Sequence, residues 1–309
     1  MKPKYPITGT FIDEVTYDLQ SQNWSLEQWA KDLDYMQAVG IDTLVFIRGV
    51  FYDFAIYPSK IFNNCKTEED DLLGFILVEA AKRNMSVYVG TYIRDLCWNS
   101  GDYKTELKNN RLFVDEVWSR YGDIPSFKGW YLPHEVGNDV FNINEVFKGV
   151  SAICKDKTPD LPVLISPFFL ADPSRKHEGL YLTPEEMEEE WDGIFEKSGK
   201  DIDYCAMQNN VIFHGDFSTF DAYFSGMKRA CDRHNVHLWS NAETLDNDCK
   251  STWYPIPFDV LRKKIEYGSK YVEKFITFEF SHYMSPQSMF ASAGNLYNRY
   301  KDWYEKHEW

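Results

Sequence analysis

The sequence has no apolar run long enough to form a membrane-spanning helix. Such a helix needs about 18 consecutive apolar residues, and the sequence of 309 residues contains no run of that length. The first residues, Met1 to Tyr5, also lack the apolar segment of a signal peptide. We therefore expect no membrane span, and the location stays open: cytoplasmic, or periplasmic or extracellular where a leader has been removed.

The cysteines lack the spacing of a metal site. All six are spread singly through the chain, with no pair at the spacing of a zinc ribbon or zinc finger. A chain of this length can bury a large core without disulfides, so we expect reduced thiols. The sequence predicts neither a bound metal nor a cofactor.

Positive charge is scarce. Lys and Arg number 33 against 48 Asp and Glu, which gives a net charge of -15 and a pI near 4.9. Phosphates would be repelled, so nucleic acids and anionic membranes are poor partners. The chain is rich in aromatic residues (17%), more than a core requires, and some should line a site. A neutral ligand such as carbohydrate fits this composition best.

What is present is a regular alternation of strand and helix patterns. Apolar strand-like runs and amphipathic helical runs follow one another through eight units, without a repeat, a linker or a low-complexity tract. The α/β pattern predicts a single (β/α)8 TIM barrel covering residues 1–309 as one domain. The predicted strands begin near Ile7, Ile41, Ser86, Gly129, Val163, Ile202, Val236 and Lys274.

The connections of the predicted barrel differ at its two ends. Those from helix to strand are short, such as Val39 to Ile41, whereas those from strand to helix are long and aromatic. Long loops on one face build binding sites. We therefore expect the active site at the C-terminal ends of the strands, with Trp98 and Trp253 in the loops as stacking surfaces for sugar rings.

Two glutamates stand where apolar strands end. Glu135 follows the fourth predicted strand and Glu243 follows the seventh, so they should face each other across the barrel mouth. One protonated and one ionised carboxyl group in this arrangement suit glycoside hydrolysis. Arg48, which ends the second strand, could keep Glu243 ionised, while aromatic neighbours would keep Glu135 protonated.

These positions resemble those of the clan A retaining glycosidases. That clan places its acid/base glutamate after strand four, its nucleophile after strand seven and an arginine after strand two, which match Glu135, Glu243 and Arg48. Four further segments carry a second resemblance: ITGTFIDEVTYD, AVGIDTLVFIRG, GWYLPHEV and FEFSHYMSP, at residues 7–18, 38–49, 129–136 and 278–286. They resemble a bacterial glycosidase-like barrel family, the domain of unknown function 4434, which implies a carbohydrate-active role.

The sequence departs from the clan pattern near the predicted acid/base and at two strand ends. His134 stands where the clan has a sugar-binding asparagine, and polar residues from Gln208 to Asn210 replace a tyrosine after strand six. Glu279 and His282 stand where strand eight of the clan ends in tryptophan, and Glu14 on strand one lies next to them. We expect these departing residues to contact substrate, and Glu279 is an alternative to Glu243 in the catalytic pair.

Two other functions fit the same strand ends. A metal-dependent isomerase or hydrolase would use Glu135, Glu243, Glu279 and His282 as ligands, although such sites prefer more histidine and aspartate, and the first strand lacks the HxH of common metallohydrolase barrels. A carbohydrate-binding barrel without activity would keep the cleft but lack productive carboxylate spacing.

Overall fold

A computed structural model describes residues 5–16, 19, 22–62, 64–65, 71–94, 99–179, 181–198, 200–209, 217–247, 253–307 and 309. Within these ranges, eight parallel strands form a closed barrel. Each strand pairs with the next along the chain, and the eighth pairs with the first, where Ile7 lies opposite Phe275. The predicted (β/α)8 TIM barrel is confirmed.

The barrel strands are three to six residues long and are numbered in chain order. They are β1 Ile7–Ile12, β2 Thr43–Phe46, β3 Ser86–Gly90, β4 Phe127–Leu132, β5 Val163–Ile165, β6 Tyr204–Gln208, β7 His237–Asn241 and β8 Phe275–Thr277.

Long helices follow the strands on the outside of the barrel. They are α1 Leu26–Gln37, α2 Leu72–Lys82, α3 Tyr103–Tyr121, α4 Ile143–Lys157, α5 Pro184–Ser198, α6 Phe217–His234, α7 Phe258–Gly268 and α8 Ala291–Glu305. A single helical turn, Phe280–Tyr283, lies between β8 and α8, and a 3-10 segment, Pro173–Glu178, lies between β5 and α5.

Two helices begin with capping boxes. The Ser25 hydroxyl accepts the backbone N–H of Gln28, whose side chain accepts the N–H of Ser25 in return. Thr183 and Glu186 make the same reciprocal pair at α5, at 2.8 and 3.2 Å. These bonds satisfy N–H groups that a helix start leaves without partners.

Two apolar layers hold the barrel together, and the period of two along each strand separates them. Odd and even residues point to opposite faces of a sheet, so Tyr131 lies inside the barrel while Trp130 and Leu132 pack toward the helices. Because both faces are covered, the strands carry apolar residues on both faces, as parallel strands require. The interior layer is Phe11, Val45, Ile47, Tyr88, Tyr131, Leu164, Ala206, Trp239 and Ile276.

Short strands extend the loops after β2, β3 and β7. Segments Val50–Phe51, Phe54–Ala55, Asn64–Cys65 and Tyr92–Ile93 form a four-stranded sheet, and Leu245–Asn247 pairs antiparallel with Trp253–Pro255. The long connections therefore lie on the side of the barrel where the sequence predicts them.

The structure bears on the expected absence of a membrane span and on the state of the cysteines. Among the described residues, no helix combines the length and apolar character needed to cross a bilayer. The three cysteines whose side chains are described, Cys154, Cys205 and Cys231, are buried and free.

Candidate active site

An open cavity of about 180 Å³ lies at the C-terminal ends of the barrel strands. The cavity contains both glutamates that the sequence singles out. Its described lining residues are Asp13, Thr16, Leu19, Ile47, Arg48, Glu135, Gln208, Asn241, Glu243, Leu245, Trp253 and Phe278.

Strand periodicity places Glu135 and Glu243 in the cavity. Tyr131 lies inside the barrel, and Glu135 follows it by four residues, so the same alternation directs Glu135 toward the mouth. Glu243 likewise follows the interior residue Trp239 by four residues, with Asn241 between them. The two glutamates come from strands three places apart in the barrel and line the same cavity.

Asp13 is a cavity residue that sequence reasoning missed. Its carboxylate accepts the N–H groups of Val15 and Thr16, both at 3.1 Å, and the Thr16 hydroxyl at 2.5 Å. These bonds fix the start of the loop after β1 and hold the carboxylate at the wall. The sequence does distinguish Asp13 from Glu14. Asp13 lies two positions after the interior residue Phe11 and therefore points to the same side of the strand, whereas Glu14 points to the other side.

Arg48 lines the cavity from the end of β2. Its guanidinium group lies 4.7 Å from the centre of the Phe51 ring, a cation–π contact. Its Nε atom is buried, and no hydrogen-bond partner for it lies in the described part of the chain.

Two amide side chains are oriented by buried neighbours. The Gln208 Nε2 atom donates to the Ser166 carbonyl at 2.8 Å, which fixes the side chain of this cavity-lining residue and leaves its Oε1 atom available as an acceptor. The Asn241 Oδ1 atom accepts the N–H of Phe278 at 2.8 Å. Gln208 is therefore a preoriented acceptor for a ligand hydroxyl or amide.

Tyr131 lies in the interior layer of the barrel, four residues before Glu135. Burial raises the pKa of its hydroxyl well above the ordinary value, the charge of Glu135 raises it further, and Arg48 opposes the shift. The hydroxyl therefore stays protonated at any working pH. Among the described residues, no donor or acceptor meets the geometry of a hydrogen bond at this hydroxyl, although the nearby Ser166 side chain lowers its pKa.

Three of the predicted binding residues form a buried cluster beside the cavity rather than lining it. Glu279 accepts the backbone N–H of Asp13 at 3.2 Å and contacts Nδ1 of His282. The other ring nitrogen of His282 lies 3.9 Å from Glu14. Glu14, Glu279 and His282 are not among the described lining residues of the cavity, and their contacts support the backbone of Asp13 from behind.

His134 is also turned away from the cavity. Its Nε2 atom lies 2.9 Å from Oε1 of Glu106 on α3, and both side chains are fully buried. The alternation that points Glu135 inward points His134 toward the helix layer.

Of the remaining predicted substrate contacts, one lies in the described part of the chain and two do not. Trp253 lines the cavity from the short strand after β7. Trp98 and Asn210 lie outside the described residues.

The four residues of the metal-site alternative do not converge. Glu135 and Glu243 line the cavity, whereas Glu279 and His282 lie behind Asp13. Among the described residues, no group of three or more His, Cys, Asp or Glu side chains is arranged to hold a metal ion.

Three solved structures with a similar fold carry the names of glycoside hydrolases. One is the crystal structure of a "putative alpha-L-fucosidase" from Bacteroides thetaiotaomicron VPI-5482, which is 37% identical to this chain. The match covers 98% of this chain and 94% of the other, with a TM-score of 0.90. The intracellular xylanase TsXylA from Thermoanaerobacterium saccharolyticum is 12% identical over 89% of this chain and 85% of its own, with a TM-score of 0.52.

A third structure shares the fold within a larger protein. The beta-D-glucuronidase of Dictyoglomus thermophilum is 12% identical over 99% of this chain and 51% of its own, with a TM-score of 0.57. At 12% identity, this enzyme and the xylanase support the fold alone. Among proteins of curated function, none matches the sequence.

The family comparison covers nearly the whole chain. Residues 7–290 match the model of the Domain of unknown function (DUF4434), including all the barrel strands and the cavity residues. This chain therefore belongs to the DUF4434 family.

Proposed function

We propose that this protein is a glycoside hydrolase that acts by a retaining mechanism, with Glu135 as acid/base and Glu243 as nucleophile. The observation that carries the proposal is that these two glutamates, from β4 and β7, line one cavity at the C-terminal ends of the strands. Catalytic residues of TIM barrels come from this end of the strands. The 37% identity to the fucosidase-named structure supports the same class of reaction.

The proposed reaction proceeds in two steps. Glu243 attacks the anomeric carbon while Glu135 donates its proton to the leaving glycosidic oxygen, so one C–O bond forms as the other breaks. Glu135, now ionised, then takes a proton from water, which attacks the glycosyl ester and releases Glu243. The two inversions retain the configuration of the anomeric carbon.

Other lining residues supply the groups that a sugar needs. Trp253 offers an aromatic face for the apolar side of a pyranose ring, and Gln208 offers an oriented acceptor for a hydroxyl group. Arg48 contributes positive charge to a cavity that also contains Asp13. We take α-L-fucosides as the first substrate class to test, because of the relative's name.

Glutamine variants of the two glutamates test the proposal. We expect Glu135→Gln and Glu243→Gln each to lose activity on a panel of aryl glycosides by at least about a hundredfold, while Glu305→Gln at the exposed end of α8 stays at the wild-type rate. Proton NMR of the first product should show the substrate's anomeric configuration. Near wild-type turnover in both cavity variants would remove the proposal, and an inverted product would remove the nucleophile role.

A further inference from the structure

Lys264 is a buried lysine on a helix face that is otherwise apolar. It lies on α7 with Leu261, Ile265 and Gly268, at the spacing that turns these residues toward the barrel, and its exposed fraction is 0%. Removing an ammonium group from water carries a large free-energy cost, so such lysines are rare unless a specific contact offsets it.

The contact is with the backbone of the proposed nucleophile. The Nζ atom of Lys264 donates a hydrogen bond to the carbonyl oxygen of Glu243 at 3.0 Å. The lysine also interacts electrostatically with Glu243 and Asp246, both in the segment that follows β7. Lys264 therefore approaches Glu243 from behind, on the side away from the cavity.

The charge has a chemical consequence at this position. A nucleophilic carboxylate must be ionised when substrate binds, and a nearby positive charge favours the ionised form. Among the described residues, the charged groups that share the cavity with Glu243 are Asp13, Glu135 and Arg48. Two of these three groups are acidic and disfavour ionisation of Glu243. A cation behind Glu243 would offset this effect.

We propose that Lys264 is a positioning residue for Glu243: its ammonium group fixes the backbone of Glu243 and favours the ionised carboxylate. This inference rests on the proposed nucleophile role of Glu243. Burial lowers the pKa of Lys264 to about 8, while the negative charges of Glu243 and Asp246 act to raise it. The lysine is therefore charged at neutral and acidic pH.

Three variants separate charge, hydrogen bonding and burial. Lys264→Met removes both the charge and the donor, and Lys264→Gln keeps an N–H donor without the charge. Lys274→Met is the matched control. Lys274 is also a largely buried lysine, but it contacts Asp42 and Thr43 at the N-terminal end of β8, away from the cavity.

The readout is the acidic limb of the pH profile of kcat/KM. We expect this limb to move upward by about 1 pH unit in Lys264→Met and Lys264→Gln, with a further fall of at least about tenfold in kcat for the methionine variant alone. Lys274→Met should leave the limb in place. Unchanged limbs in both Lys264 variants would overturn the inference.

A titration of the wild-type protein tests the same coupling without an activity readout, and a variant is needed only to assign the resonance. The carbon resonance of the Glu243 carboxyl group, assigned by its loss in Glu243→Gln, should show a second inflection near pH 8, where Lys264 loses its proton. A single inflection would refute the coupling of the two groups. Failure of Glu243→Gln to lose activity would instead remove the proposed function, whatever the titration shows.

Discussion

Nε2 of His134 and Oε1 of Glu106 lie 2.9 Å apart in the layer between β4 and α3, with both side chains fully buried. The next residue after His134, Glu135, lines the cavity. One strand end therefore carries two polar residues that face opposite sides of the barrel wall. The outward member anchors the strand end to a helix, and the inward member is available to a ligand.

Removing the buried partner of His134 should destabilise the protein strongly. We expect Glu106→Ala to lower the free energy of unfolding by about 2 to 4 kcal/mol, because the imidazole is left buried without its acceptor. Urea denaturation followed by circular dichroism measures this change. The exposed pair His177 and Glu178, 3.6 Å apart, provides the control: Glu178→Ala should change the same free energy by less than about 0.5 kcal/mol. Equal effects of the two variants would contradict the argument.

Asp32 should make the protein less stable as pH rises. Burial raises its pKa to about 6, although hydrogen bonds from Ser285 and Ser281 oppose the shift. A folded-state pKa above the unfolded value of about 3.9 means that the folded state binds more protons between these values. The contribution of Asp32 is therefore full below about pH 4 and is lost as pH rises through about 6.

The variant Asp32→Asn tests this dependence. The amide is neutral at every pH, so we expect the variant to gain about 2 to 3 kcal/mol relative to wild type between pH 4 and pH 7.5 in urea denaturation. Asp34 on the same helix has a side chain that is 63% exposed, and Asp34→Asn should keep a constant difference from wild type. A parallel pH dependence of wild type and Asp32→Asn would show that Asp32 is not the titrating group.

Gln208 should contribute to ligand recognition through its Oε1 atom. We expect Gln208→Ala to lower kcat/KM about 5- to 50-fold by loss of one or two hydrogen bonds to substrate. Gln37 makes the same type of bond, from Nε2 to the Arg83 carbonyl at 3.2 Å, but at the C-terminal end of α1. Gln37→Ala should therefore leave kcat/KM unchanged. A wild-type value for Gln208→Ala on every substrate would remove Gln208 from the site.

The Tyr131 hydroxyl should reduce stability. A buried hydroxyl with no partner among the described residues has lost its water without replacement, so Tyr131→Phe should raise the free energy of unfolding by about 1 kcal/mol. Tyr88 is the matched interior tyrosine, and Tyr88→Phe should change this quantity by less than about 0.5 kcal/mol. A loss of stability in Tyr131→Phe would mean that the hydroxyl is hydrogen-bonded in solution. A drop in turnover alongside the gain would link the hydroxyl to Glu135.

The sequence by itself determined the barrel and the two glutamates. Strand and helix periods are local properties, so eight alternating units could be counted before any contact was known. Glu135 and Glu243 were also visible locally, because each follows an apolar strand whose period continues into the loop. The same period distinguishes Asp13 from Glu14, although both are acidic and adjacent.

Only the tertiary structure decided which groups stand behind the site. His134 pairs with Glu106 across 28 residues of sequence, Lys264 reaches Glu243 across 21, and Asp32 binds Ser281 across 249. No local pattern encodes these pairs, because they exist only when the barrel closes and brings the helix layer against the strand ends. Closure also decides whether a buried polar group finds a partner, and that partner sets its charge state and its contribution to stability.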